Sequence, residues 1–583
     1  MVDVNPIIVR TLNYLRAVHL PTYVALRLML NRVPTSSIDS FLDAVITQVT
    51  IRRSSRILNL KRFKSVSGLE FIYRNYSVPS PTSALADSYA ISVIHSNEVV
   101  KRRSYVYSYR CPEESDYPKS FEHFAVGYRS RNDAIAKALE DECMVAVLVD
   151  IRNFYPSVNA RISIDSLQNR LKAVSRLSGR DRAVVLASAE RAVAPVKPGQ
   201  KEGLRVGPEM SHVLADISLE DVDATLVGLF ERGYFRYVDD IVAVVKREEV
   251  SAARAAIGEV LAKAGHSVSE EKDSVVGRAE WLGYQSVAGC VTSDVSAALN
   301  ALKFRSKLYL AKRPADADAL KEALKEAGVY LPIEQLLNGS RQMNWRYRVH
   351  SLFSRQWNVV TSFWTDSLGD VVNAARICRR QVIDDVDQIL GTSFDPVNSM
   401  VSRKWQIQRA RMVINRALYF ADNDTLRRID SFAAAVPELA ETAAVCGALL
   451  GDSTRVIRMP GPAIAAFSQV AAIRGVELPN LQLQEGSIGK DVLVDVAAYF
   501  ALRSDVDVVE ASDLNSDLRG LAALVAGPGN TDEAFSESGY GAEVSALAIN
   551  SSRYERAEAA ATRFTPREDI VLDALNLSAN YMS

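Results

Sequence analysis

The sequence predicts an α+β amino-terminal half followed by a large all-α carboxy-terminal region. Three observations predict it. Short apolar runs of strand character occur only in the first half: CMVAVLVDI (143–151), YFRYVDDIVAVV (234–245) and AEWLGYQSV (279–287). Longer stretches with helical spacing separate them, the pattern of strands and helices mixed in one unit. From about residue 295 helical spacing takes over, with alanine-rich stretches such as AAAVPELAETAAVCGALLG (433–451) and no fixed repeat period.

In chain order, residues 1–60 read as amphipathic helices, with Ile38, Phe41, Leu42, Val45, Ile46 and Val49 at helical spacing. Residues 61–125 are mixed and basic, and VVKRRSYVYSYR (99–110) alternates as a strand would. Helical patterns run to about 190 and give way to the glycine-punctuated segment 197–219. YFRYVDDIVAVV reads as a strand, a tight turn and a second strand, and AARAAIGEVLAKAGH (252–266) as a helix stopped by Gly265.

The 583 residues are 48% hydrophobic and 24% charged, which suits several globular domains and excludes a disordered or collagen-like chain. Net charge is −1, but the charge is unevenly spread. Residues 1–130 hold 17 basic and 10 acidic side chains, 301–420 hold 19 and 11, and 481–583 hold 7 and 17. The first two regions suit a polyanion, whereas the acidic tail would repel one; it is expected to face solvent, contact another subunit or keep nucleic acid on one path. The 5 widely spaced cysteines offer no zinc pattern and suit a reducing cytoplasm. No membrane partner is expected, because no apolar run reaches membrane-spanning length.

The chemistry is carried by carboxylates. Asp150 ends the apolar run VAVLV, where an ionised group is costly unless paired or metal-bound. Asp239 and Asp240 sit together in Tyr237-Val238-Asp239-Asp240, between two strand-like runs. Alone, such a pair is most often a solvated turn. A strand ending in Asp followed by Tyr-x-Asp-Asp in a hairpin is the arrangement of a polymerase palm, where carboxylates on neighbouring strands hold two Mg²⁺ ions for phosphoryl transfer. Mg²⁺ prefers oxygen ligands, so neither His nor Cys is needed.

With these residues the sequence resembles the reverse transcriptases over roughly 60–290. DIRNFYPSV (150–158), GLRVGPEMSHVLADISL (203–219), YVDD (237–240), GHSVSEEKDS (265–274) and WLGY (281–284) follow the family's motif order. NFYPS with G-x-x-V-G-P-x-x-S-x-x-L-A is similar to bacterial enzymes of the abortive-infection and defence-associated antiphage groups, although Arg205 and Asp216 depart from the usual residues. The resemblance implies Asp150, Asp239 and Asp240 as catalytic metal carboxylates, with Ile151 in the same metal site. It implies Tyr155 as an aromatic gate against the 2′-hydroxyl, Gly207 in the nucleotide pocket and Lys272 near the triphosphate; Arg103, with its neighbours Lys101 and Arg102, or Arg110 is a candidate to grip the triphosphate from the basic fingers. It also implies two Mg²⁺ ions (Mn²⁺ as substitute), dNTPs as substrates and a DNA product, and leaves an RNA template or structural RNA open.

Arg341, Trp345, Arg346, Arg348 and Arg355 interleave arginine with aromatics, as a nucleic-acid groove does. The expected architecture is a right-hand polymerase with fingers in 1–125, a palm in 126–294, a basic thumb-like region in 295–425 and an acidic α-helical domain in 426–583. The expected role is antiphage DNA synthesis, protein-primed or without an ordinary template, in a homo-oligomer. The alternatives are a conventional RNA-templated enzyme of retron or intron type, and a non-catalytic nucleic-acid-binding scaffold.

Overall fold

The computed structural model describes residues 5–51, 56–67, 70–114, 117–194, 202–269, 274–283, 294–334, 336–337, 367–392, 400–479, 489–502, 518–522, 539–549, 551–561 and 564. Two helices open the chain, α1 (Pro6–Val18) and α2 (Leu20–Asn31). Each has a proline in its first two residues and a side-chain cap: Asn5 Oδ1 accepts from the Ile7 amide, and His19 Nδ1 from the Thr22 amide. These caps satisfy amides that no helical carbonyl can reach. Helix α3 (Ile38–Ile51) buries Ile38, Leu42, Val45, Ile46 and Val49, most of the stripe its sequence predicts.

Strands β1 (Ile57–Ser67) and β2 (Glu70–Pro79) then form an antiparallel hairpin with a register shift between Phe63 and Ser65. The sequence does not announce this hairpin, because the bulge breaks the alternation on which strand recognition depends. Helix α4 (Pro81–Ser96) packs against α1 and α3 and is buried nearly all round, and α5 (Phe124–Ala138) leads to the second sheet.

That sheet is antiparallel throughout, in the order β4-β5-β3-β6. It comprises β3 (Met144–Asp150), β4 (Tyr234–Tyr237), β5 (Asp240–Lys246) and β6 (Ser274–Gly277). Its central strands are apolar on both faces because both are covered. Val147, Val149, Ile241, Ala243 and Val245 join the main core, while Ala146, Phe235, Val242, Val244 and Val276 meet Ile135, Leu139 and Trp281 on the other face. Between β3 and β4 run α6 (Phe154–Ser157), α7 (Ala160–Ala173), α8 (Gly179–Arg191), α9 (Glu209–Ser218) and α10 (Glu220–Phe230). After β5, α11 (Val250–Lys263) ends before Gly265, which takes φ +83°.

Two expected strands are not strands. Residues 279–283 are helical, and the edge of the sheet is supplied instead by β6 just before them. Trp281 turns into the smaller core, and its Nε1–H donates to the Asn132 carbonyl at 3.1 Å. In 99–110 the extended pairing is confined to Val106, which bridges Arg236 on the outer edge of β4, and it stops at Tyr109, whose φ is +47°.

Among the described residues no strand lies beyond Gly277, as the helical spacing predicts. The carboxy-terminal helices share the main core with the amino-terminal ones, since Ile7 and Ala560 belong to the same cluster. Helices Lys490–Ala501, Tyr540–Ile549 and Arg553–Ala561 pack against α2, and the first two also against β1. Carboxylates of the acidic region meet the basic amino-terminal region there: Asp495 with His19 at 2.9 Å, Glu543 with Arg56 at 3.2 Å and Asp491 with Lys61 at 3.3 Å. The Asp495 and Glu543 contacts are largely buried, whereas Asp491 and Lys61 stay partly exposed to solvent. No helix among the described residues is long and apolar enough to cross a membrane.

Candidate active site

The site is built at one end of the four-stranded sheet. Strands β4 and β5 are joined by Val238 and Asp239 alone, since Tyr237 already pairs with Asp240. Val238 takes φ +55°, a conformation in which a β-branched side chain is strained and glycine is the usual occupant of such a turn. Two contacts hold it there. The Val238 amide donates to Ser108 Oγ at 2.8 Å, and Arg236 Nη1 donates to the Val238 carbonyl at 3.0 Å.

Arg236 is itself fixed by acids from α9 and α10. It is 1% exposed and donates to both carboxylate oxygens of Asp223 and to Asp216, each at 2.7 Å. Burial opposes its charge, but Asp223 and Asp216 outweigh that and hold its pKa well above the ordinary arginine value. Tyr234 Oη also donates to Asp223, at 2.6 Å.

The same register places Asp150, the last residue of β3, directly opposite Asp240, the first of β5. Asp239 joins them from the turn, and ligand atoms of the three carboxylates all lie within 4.8 Å of one another. Tyr128 Oη donates to Asp240 at 3.2 Å. The Ile151 amide donates to the Asp239 carbonyl at 3.3 Å, tying the end of β3 to the turn. Among the described residues, three converging carboxylates with no nitrogen or sulfur ligand form a donor set that fits a hard divalent cation.

Tyr155 follows on α6. Its carbonyl accepts from the Leu204 amide at 2.9 Å, and its hydroxyl lies 2.5 Å from His212 Nδ1. Asp239 and Tyr76 are both within electrostatic range of that hydroxyl. Gly207, at φ +129°, lets the preceding loop lie on β2; a Cβ there would stand 2.0 Å from the Ser77 carbonyl oxygen. The Val206 carbonyl accepts from the Ser77 amide at 2.8 Å, and the Gly207 carbonyl from Tyr14 Oη at 3.0 Å.

The arginines expected at the triphosphate are engaged elsewhere. Arg103 pairs with Asp216 and, at 2.8 Å, with Asp223, completing the buried cluster around Arg236. A guanidinium so neutralised is structural. Arg110 donates to the carbonyls of Val106 and Ser104, at 2.6 and 3.2 Å, and lies over the Tyr107 ring. A pair the sequence did not suggest is Arg62 and Arg74, direct cross-strand partners in the hairpin, with Arg62 Cζ 3.6 Å above the Tyr76 ring. Lys272, Arg341, Trp345, Arg346, Arg348 and Arg355 lie outside the described residues.

Glu209, in the first turn of α9, was also missed. Burial pushes its carboxyl up to about 8 from 4.5, although Ser120 and Ser88 donate to it at 3.0 and 3.4 Å. The folded protein therefore holds this proton at pH values where the unfolded chain has released it. The stabilisation is complete below about pH 4.5 and is lost as pH rises toward 8, by up to about 1.4 kcal/mol per pH unit. Glu209→Gln is expected to flatten that dependence. Melting temperatures from pH 5 to 8 check this, and parallel curves for the two proteins would refute it.

Residues 109–286 match the family model described as reverse transcriptase (RNA-dependent DNA polymerase). This segment is a reverse transcriptase domain. It contains Asp150, Tyr155, Gly207, Asp239 and Asp240, and it marks the chain as an RNA-directed DNA polymerase, a nucleotidyltransferase. The helical region after 286 lies beyond the match. No curated protein matches the chain.

Proposed function

We propose that the reverse transcriptase domain adds dNTPs to a 3′-hydroxyl by two-metal catalysis, with Asp150 and Asp239 as principal carboxylate ligands and Asp240 as the weaker or second-metal one. The observation that carries this is the convergence of the three carboxylates at the mouth of one sheet. Two Mg²⁺ ions, when bound, would lower the pKa of the 3′-hydroxyl and neutralise the triphosphate; Mn²⁺ would substitute. The Ile151 carbonyl lies next in the chain to Asp150 and is a further oxygen ligand in this reading.

The chain's own residues do the rest. Asp150 is held by the sheet register, Asp239 by the clamped turn, and Asp240 by Tyr128. Tyr155 blocks a 2′-hydroxyl, and Gly207 shapes the pocket floor by bringing its loop onto β2. Arg110 and Lys272 are the candidates to meet the triphosphate, since Arg103 is paired with Asp216 and Asp223. The hairpin and α1–α4 serve as fingers, the four-stranded sheet as palm, and the basic segment holding Arg341, Trp345, Arg346, Arg348 and Arg355 as a nucleic-acid-binding thumb.

The proposed biological role is antiphage defence in a bacterial cytoplasm, supported by the motif resemblance. Synthesis primed by a protein hydroxyl fits an exposed tyrosine such as Tyr554, whereas Tyr499 and Tyr540 are buried.

The test is incorporation of labelled dNTPs by purified protein with Mg²⁺, with and without an RNA template and DNA primer. Products are treated with ribonuclease, deoxyribonuclease or protease before a denaturing gel. DNA that enters the gel only after protease supports protein priming. DNA formed only with template and primer supports the conventional reaction. No product in either condition would overturn the catalytic reading and favour a nucleic-acid-binding scaffold.

A further inference from the structure

Tyr155 is anchored at both ends, and the second anchor is His212. On the backbone side, Gly203 and Leu204 lie against α6: a Cβ on Gly203 would stand 2.5 Å from the Pro156 carbonyl oxygen, and the Leu204 amide donates to Tyr155. On the ring side, the Tyr155 hydroxyl meets His212 Nδ1 at 2.5 Å. His212, on α9, is stacked face to face on Tyr109, with centroids 3.8 Å apart and planes 11° from parallel. Phe121 closes the same imidazole from its edge. The imidazole therefore has aromatic neighbours on its face and at its edge.

The protonation states follow from burial. Burial lowers the His212 pKa to about 3, so the imidazole is neutral. Burial and then Tyr109 raise the Tyr155 pKa well above the ordinary phenol value. The phenol keeps its proton, and its oxygen is held by two side chains, His212 through Nδ1 and Tyr109.

A ring excludes a 2′-hydroxyl only if it cannot step aside. For Tyr155, stepping aside means breaking its hydrogen bond to the half-buried His212 imidazole, which costs free energy. We propose that His212 is a positioning residue for sugar discrimination: it locks Tyr155, so that selectivity depends on the hydrogen bond as well as on the ring. This rests on the reading of Tyr155 as the sugar gate.

The test measures kcat/KM for TTP and UTP on the full chain, with and without poly(rA)·oligo(dT). His212→Ala and Tyr155→Phe are each expected to lower the TTP:UTP preference by about threefold to tenfold, the scale of one part-buried hydrogen bond, chiefly through a lower KM for UTP. The double variant is expected to be no worse than either single one. His212→Gln, whose side-chain carbonyl can accept from the phenol, is expected to restore part of the preference. Tyr155→Phe probes the same bond should His212→Ala not fold.

If Tyr155→Ala destroys the preference while His212→Ala and Tyr155→Phe leave it at the wild-type level, the lock is refuted and the gate stands. If Tyr155→Ala also leaves it unchanged, the gate reading fails and the lock with it. Incorporation of neither nucleotide by wild type would overturn the polymerase reading itself.

Discussion

Asp150→Asn and Asp239→Asn are each expected to abolish nucleotide incorporation, by at least about 1,000-fold. The carboxylates are expected to supply several kcal/mol of transition-state charge stabilisation through bound metal, and each 1.36 kcal/mol is about tenfold in rate. The same variants are expected to fold, with melting temperatures at or above wild type in metal-free buffer. Three carboxylates within 4.8 Å repel one another, and removing one charge relieves the others. Asp240→Asn is expected to be milder, because Tyr128 already occupies one of its oxygens. Incorporation assays beside melting curves check both halves. An Asp239→Asn protein that retains activity would remove the turn from the catalytic site.

Arg236→Met is expected to destabilise the protein by about 3–5 kcal/mol, the cost of breaking a buried ion pair by removing one partner. Asp223 is fully buried, and losing Arg236 leaves Arg103 alone to balance Asp223 and Asp216. Arg236→Met with Asp223→Asn is expected to cost less than the sum of the two changes, since neither group is then stranded. Incorporation should fall as well, because the clamp on the Val238 carbonyl goes with the guanidinium and the strained turn carrying Asp239 is released. Urea unfolding followed by circular dichroism measures the loss. A loss below about 1 kcal/mol, the scale of an exposed pair, would contradict the buried-clamp interpretation.

What was legible in the sequence was local. Asp150 at the end of a continuous apolar run and Tyr-Val-Asp-Asp between two more are signals a few residues long, and their strands form where the runs predict. What supports them was not legible. Asp216 and Asp223 lie 20 and 13 residues from Arg236 on separate helices, where acids resemble any solvated helix face. The β1–β2 hairpin was hidden by its bulge, which shifts the alternation midway. WLGY reads as a strand because a short apolar run with an aromatic suits a strand or a buried helix equally.

The partners of Asp491, Asp495 and Glu543 were not legible for a related reason. A net negative region predicts repulsion of phosphate, but does not say which side chains its carboxylates meet. His19 is 476 residues from Asp495, and Arg56 is 487 from Glu543. The charges that run 1–130 carries in excess are partly answered by the far end of the chain.

The most direct measurement is an electron paramagnetic resonance titration of Mn²⁺ into the purified full chain in the presence of TTP. Two bound ions per chain are predicted for wild type, falling to none or one weak site in Asp150→Asn/Asp239→Asn. An unchanged Mn²⁺ stoichiometry in that double variant would contradict the assignment of the metal site to these carboxylates.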